Sequence, residues 1–487
     1  MIYFSLLLSF IILWVAVNAI SKRTGGSSGI YSNLYTWFVT LWIVQMIILT
    51  LPIFEYFNTI TLSSATYMVA GHICFALGVI IAMGNRSHHA PTLSLAGANS
   101  SRTMFIVLAM LGIAAQLAVS FDSFSATGFS LSDRFDSEIY KGMRELQFTT
   151  TRETTLGKLI IPASILAPLC NVVAAYFAFC YARREQWARS LTRESILAIA
   201  AMLIVIADAL VLKGGRMNIS FLLFLVIVAG SLGAALRPRK TKPRSLIRKL
   251  ALALPLLLLL SIASAFFQQF RGFNADPMEQ MPIVAAATVA PELKPLVMSN
   301  QFLGFYMLQL TYLSSSTEVL NFYLELPKAQ MPGPFYGAYS FNVVYHYLTR
   351  FMPGFSRDFW AQARVELFTP LAQEGRLGNV WPTLLRDLIG DFGRIGALLF
   401  LVMFGWAGQR FSDAYSRQPT PLKAVLTAYI RMICFFSGVL SLFYMPEISR
   451  AVLVLIVILT VQRFRSRRPA IHSQVMRRNV MSEMYRP

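Results

Sequence analysis

Arginines set beside glycines, and two carboxylates one helical turn apart, are the residues of this chain that stand out chemically from an apolar background. Lys213-Gly214-Gly215-Arg216 reads as a tight turn whose glycines tolerate positive φ and would aim Arg216 back over the neighbouring helices. Arg271-Gly272 opens a long polar segment. A guanidinium is permanently charged and forks onto paired oxygens, so two of them at neighbouring helix ends would clamp a diphosphate. Taken singly, each arginine is equally well read as an anchor that snorkels to lipid headgroups.

Further along, Arg386, Asp387 and Asp391 follow Asn379-Val380-Trp381-Pro382-Thr383. On a helix, Asp387 and Asp391 share a face and could hold a sugar hydroxyl or accept its proton. For Asp391 alone the plainer expectation is a helix N-cap favoured by the dipole. His346, in Tyr345-His346-Tyr347, is the histidine placed to act as a general base, and Glu318 is a third such group. Rings such as Tyr336, Tyr339 and Trp360 could stack on sugar faces, although membrane interfaces use the same residue types.

The elements that must position these groups follow from composition. Of 487 residues 56% are hydrophobic and 14% charged, too few polar groups to clothe a water-soluble globule. The fold class expected is therefore all-α, a polytopic transmembrane bundle. Scanning for the roughly 20 apolar residues a bilayer core requires gives about eleven spans. They lie near 2–20, 34–54, 62–84, 103–121, 158–182, 195–212, 217–236, 250–268, 393–411, 422–445 and 449–463. The first has no basic residue before it and Lys22-Arg23 after it, the reverse of a secretory signal, so it is expected to stay as a helix with its N-terminus outward.

The net charge of +20 is spread over short runs between apolar segments, which argues for membrane topology and against nucleic acid. Basic clusters at 183–194, 237–249 and in the tail 464–487 assign those segments to the cytoplasm. Segment 269–392 lacks that bias and becomes a large external loop of a single membrane domain. Its apolar stretch 304–326 contains Glu318 and Glu325, so it is expected as an amphipathic helix at the interface or packed on the bundle. Cys74, Cys170, Cys180 and Cys434 fall in apolar stretches without metal or disulfide spacing and are expected to be packing residues. Asp208 and Glu447 sit near span ends, while Arg431 falls within a span with no partner evident. Walker A, HExxH and GxSxG patterns are absent, leaving ATP-driven transport, metalloprotease and hydrolase readings without support.

In this order, Gly-Gly-Arg at 214–216 between two spans, Arg271-Gly272, the aromatic stretch 304–326, Pro353-Gly354 and Asn379 to Gly396 resemble the Wzy-type polymerases of oligosaccharide repeat units, and the enterobacterial common antigen polymerase branch is similar in layout. The resemblance covers roughly residues 200 to 410 and rests on short motifs; an outward N-terminus departs from many members. It implies a GT-C-like glycosyltransferase of the bacterial inner membrane that works without metal or other cofactor. Its substrates would be undecaprenyl-diphosphate-linked oligosaccharides, and its partners membrane lipids and a chain-length regulator protein. On this reading Arg216, Arg271, Lys213, Arg386, Asp391 and Tyr336 bind substrate, and His346, Asp387 or Glu318 supplies the base. An O-antigen ligase, a flippase or secondary transporter, and an export scaffold are the competing expectations.

Overall fold

In the computed structural model the described residues are 2–24, 33–84, 98–125, 157–189, 192–209, 216–236, 276–345, 359–375 and 383–464. They are almost entirely helical. Before the large loop lie α1 (Ile2–Arg23), α2 (Leu34–Thr50), α3 (Leu62–Gly84), α4 (Ala98–Ser125), α5 (Ile160–Leu166), α6 (Leu169–Arg183), α7 (Arg193–Ala207) and α8 (Arg216–Ala235). The loop itself holds α9 (Pro277–Ala285), α10 (Lys294–Ser299), α11 (Gln301–Glu325) and α12 (Phe359–Gln373). After it come α13 (Leu384–Arg417), α14 (Pro421–Phe436) and α15, residues 446–464.

Six helical segments among the described residues are long and apolar enough to cross a membrane: α1, α3, Arg102–Ser125 of α4, α5 and α6 taken together, Asn218–Ala235 of α8, and α13. The chain is a multi-pass membrane protein by that criterion. α1 shows how such a helix works without strong amphipathicity. Leu6, Phe10 and Val17 pack inward while Phe4, Ile12 and Val15 face outward, apolar on both sides because lipid replaces water as the solvent. The expected span 250–268 lies outside the described residues.

Small residues set the closest crossings. A Cβ on Gly78 of α3 would sit 2.0 Å from the Val402 carbonyl of α13, and one on Gly405 of α13 would sit 2.4 Å from the Phe75 carbonyl of α3. α8 approaches α6 in the same way, with the Gly233 position 2.3 Å from the Phe179 carbonyl. Cys170, Cys180 and Cys434 are buried packing residues, and none of the four cysteines forms a disulfide, as their apolar settings imply.

The segment 276–345 folds over one face of this bundle. β1 (Phe54–Tyr56), in the turn after α2, pairs antiparallel with β2 (Ala287–Val289), so that turn and the large loop occupy the same face. α11 starts on an Asn300 cap that accepts from Leu303 N at 3.1 Å and then runs into the bundle. Of the two placements open to 304–326, packing on the bundle is the one observed. Thr311, Ser314, Ser315, Ser316 and Thr317 are all buried, with their hydroxyls hydrogen-bonded. Gln45 of α2 ties the helix down, its Nε2 reaching the Leu313 carbonyl and Ser316 hydroxyl at 2.6 Å and the Gly438 carbonyl at 2.8 Å.

Candidate functional site

α13 is two helices joined at Gly393, whose φ of 70° and ψ of 175° lie outside the helical region and suit a residue without a Cβ. The span expected at 393–411 thus begins beyond that break. The preceding helix, 384–392, lies beneath the cap and starts on Thr383, whose hydroxyl accepts from Arg386 N at 3.1 Å. Thr383 therefore holds the N-cap role that the sequence suggested for Asp391.

Asp391 has a different task. Its carboxylate accepts from Tyr339 N at 3.0 Å and Ser340 N at 2.8 Å, while its carbonyl accepts from Tyr336 N at 2.8 Å. A carboxylate holding two amides organises the 335–340 turn. Asp387 and Asp391 do share a buried face, as their spacing predicts, and of the two it is Asp387 whose oxygens hold no hydrogen bond.

Arg386 and Asp387 form the chemical centre. Arg386 Nη2 lies 2.9 Å from Asp387 Oδ1, with both side chains fully buried. The two are adjacent on one helix, so the contact is close without being aligned. Arg386 Nε, Nη1 and Nη2 and both Asp387 oxygens make no directed hydrogen bond. Rings wall the guanidinium: Phe368 of α12 at 4.8 Å, Tyr323 of α11 at 5.1 Å and Tyr339 at 5.8 Å from its carbon. Tyr323 donates to the Leu367 carbonyl, joining α11 to α12. Burial and the charge of Asp387 hold the Tyr339 phenol well above the usual tyrosine range, so it stays neutral against the ion pair.

Two segments complete the surroundings. α12 brings Arg364, half-buried and within electrostatic reach of Tyr339 and Tyr444. The 437–445 turn brings Ser441 beside Asp387 and Tyr444 against Tyr339, with ring centres 5.5 Å apart. Asn342 donates to the Tyr444 carbonyl at 2.9 Å and fastens that turn to the cap.

Among the described residues, one further candidate does not join this pair. Glu318 points away: five residues before Tyr323 on α11, it lies on another face and accepts from Asn58 of the 51–61 segment at 3.1 Å. Tyr336 sits at the rim, 71% exposed, with a left-handed φ of 52° held by Asp391. Arg216 opens α8. Lys213, Arg271 and His346 lie outside the described residues. Arg431 is buried and stacks over Trp37, 5.4 Å from the ring centre.

Sequence reasoning missed Arg364, Ser441 and Tyr444. Arg364 was one base among many in a mixed-charge loop, and only the fold brings α12 over Arg386. Ser441 and Tyr444 fell within or at the edge of an apolar run and carried no local motif. Comparisons with protein-family models, with curated proteins and with solved structures return no match.

Proposed function

We propose that this chain is a GT-C-like membrane glycosyltransferase that joins undecaprenyl-diphosphate-linked oligosaccharide units into a polysaccharide at the outer face of the bacterial inner membrane. The observation that carries the reading is Arg386: a fully buried guanidinium whose nitrogens have no directed hydrogen bond, set beside a carboxylate and walled by aromatic rings. Such a group is costly inside a membrane protein unless it serves an anion or a reaction.

In the proposed reaction an acceptor hydroxyl attacks the anomeric carbon of the donor sugar, and the bond from that carbon to the diphosphate oxygen breaks. Its electron pair leaves with the diphosphate, and the hydroxyl proton passes to Asp387. Arg386 and Arg364 offset the charge that develops on the leaving group, a task guanidinium groups perform without a metal. Arg216, Arg271 and Lys213 hold the lipid diphosphate through their charge, and the exposed ring of Tyr336 stacks on sugar. For substrate to reach Asp387, the aromatic wall built by 335–345 and α12 parts.

About eleven crossings with the capped face outward fit this scheme. Pairing of β1 with β2 on one face supports it, as does the Arg102–Glu194 ion pair of 2.7 Å, which sets the α4 residue Arg102 beside the segment 183–194 read as cytoplasmic. The test is elongation. Purified protein in nanodiscs, given a defined undecaprenyl-diphosphate repeat unit, should produce a ladder of products, and Asp387→Asn should abolish it. No ladder from the intact protein, or full elongation by Asp387→Asn, rejects the assignment.

A further inference from the structure

Two pieces of the large loop wall the Arg386–Asp387 pair, and they are held in different ways. The 335–345 stretch is fixed through its backbone: Phe335 N donates to the Gly390 carbonyl at 3.1 Å, Tyr336 N to the Asp391 carbonyl at 2.8 Å, and Tyr339 N and Ser340 N to the Asp391 carboxylate at 3.0 and 2.8 Å. Asn342 adds its bond to the Tyr444 carbonyl at 2.9 Å. Releasing this stretch would strand buried amides.

α12 lies over the pair on one apolar stripe. Ala363, Leu367 and Leu371, one turn apart, are buried, while Gln362, Val365, Glu366 and Thr369 face outward. The stripe packs on Val319, Tyr323 and Phe335 in a small cluster separate from the core that holds the membrane helices together. The Tyr323 hydroxyl on the Leu367 carbonyl ties it to α11. Leu367 in turn rests on Gly390, where a Cβ would stand 2.7 Å from its Cδ1, so the seat under α12 is shaped by a missing side chain. Lifting α12 exposes this stripe and the Leu367 carbonyl to water and leaves the bundle core intact. An element held in that way sits at the low end of the range of local stability.

α12 also carries charge to the pair. Its Phe368 stands 4.8 Å from the Arg386 guanidinium carbon. Arg364, one turn earlier, acts electrostatically on the same two phenols as Arg386, those of Tyr339 and Tyr444. With α12 down, two guanidinium groups and one carboxylate meet, a net positive charge that an oxyanion neutralises. An anion with several oxygens therefore binds best to the closed arrangement, and its absence favours the open one.

We infer that α12 is a lid that swings off the fixed 335–345 wall to admit substrate and is drawn shut by a diphosphate bridging Arg364 and Arg386. The moving part and its charge are read from the contacts of α12; that the diphosphate belongs to a lipid-linked sugar rests on the function proposed above. Closure then assembles the reactive site only around a bound donor.

The test is double electron–electron resonance on the full chain in lipid nanodiscs, with the four native cysteines replaced by alanine. Spin labels on Val365→Cys of α12 and Leu62→Cys of α3, positions 67% and 74% exposed, read the lid, and labels on Tyr336→Cys and Leu62→Cys read the fixed wall. Without ligand the first pair should show two distances. Inorganic pyrophosphate should collapse them into one while the second pair stays unchanged. Arg364→Gln should abolish the response to pyrophosphate, and Leu371→Ala, which trims the stripe, should raise the ratio of open to closed about tenfold. Thermal unfolding of both variants establishes that they remain folded. A lid distance unmoved by pyrophosphate, equal movement of the wall, a full response in Arg364→Gln, or an open fraction unchanged by Leu371→Ala would each overturn the inference. The elongation assay separates the two readings. A lid that closes on pyrophosphate in a protein that never elongates rejects the polymerase and keeps the lid, whereas elongation with α12 unmoved rejects only the lid.

Discussion

The two halves of α13 face opposite demands. After Gly393 the helix is a lipid-facing strut: Ile395, Leu399 and Met403 are each more than 60% exposed, while Gly405 lets it press against α3. Before Gly393 every residue from Leu384 to Asp391 is buried, and three of the eight are charged. One half is held by backbone proximity and the other by polar contacts to a cap. The contrast teaches that the strut supplies the rigidity the charged half lacks: an ion pair without directed hydrogen bonds does not position itself.

The largest effect expected is from breaking the ion pair on one side only. Arg386→Leu or Asp387→Leu leaves an uncompensated buried charge and should cost about 3–5 kcal/mol, whereas the double leucine variant should recover much of that stability and remain inactive. Thermal unfolding in detergent, run alongside the elongation assay, checks both. Single variants as stable as the parent would show that the pair is not buried as a unit.

Next comes the strut. Gly78→Leu places atoms inside the Val402 carbonyl, a clash with backbone that side-chain repacking cannot relieve, at a cost of about 3 kcal/mol or more. Because the charged half depends on the strut, activity should fall in the fraction that still folds. Activity unchanged in folded Gly78→Leu would uncouple the halves.

Much of this division was legible in the sequence. Apolar run length alone located most helices to within a few residues, because a bilayer imposes one dominant length, and Asp387 stood out by its four-residue spacing from Asp391. A boundary at 393 was legible as the expected start of a span, but not that a buried helix over 384–392 runs directly into it through a glycine of positive φ. Nor could spacing show that Asp391 serves the 335–340 turn, some fifty residues earlier, or that Glu318 turns toward Asn58. Those are consequences of tertiary placement.

Asp391 marks where the cap is fastened to the charged half. Asp391→Ala removes the acceptor of two backbone amides and should cost roughly 2–3 kcal/mol, with Asp391→Asn losing less because one good acceptor remains. Hydrogen exchange should show the amides of Tyr339 and Ser340 losing protection while those of α3 do not. Loss spreading equally to α3 would mean cap and strut unfold together, against the comparison.

The smallest effect lies at the junction of the halves. Arg394, the first residue past the break, donates to the Leu324 carbonyl at 2.6 Å, and the adjoining Glu325 accepts from Thr61 at 2.6 Å, Ser63 at 2.7 Å and Ser64 at 3.0 Å. The hydroxyls of Thr61 and Ser63 hold the Glu325 carboxyl below its ordinary range. A carboxyl whose pKa is depressed by folding stabilises the fold above the unfolded pKa and loses that contribution as pH falls through the folded one. Stability should therefore decline on acidification below about pH 4.5, with the window set by the ordinary glutamate value and the depressed one. Glu325 is exposed, so solvent keeps the contribution small. Glu325→Gln should flatten this slope without altering the unfolding temperature at neutral pH by more than a degree or so. An unchanged acid slope would show that the junction is held by Arg394 alone, leaving the carboxylate no part in joining strut to cap.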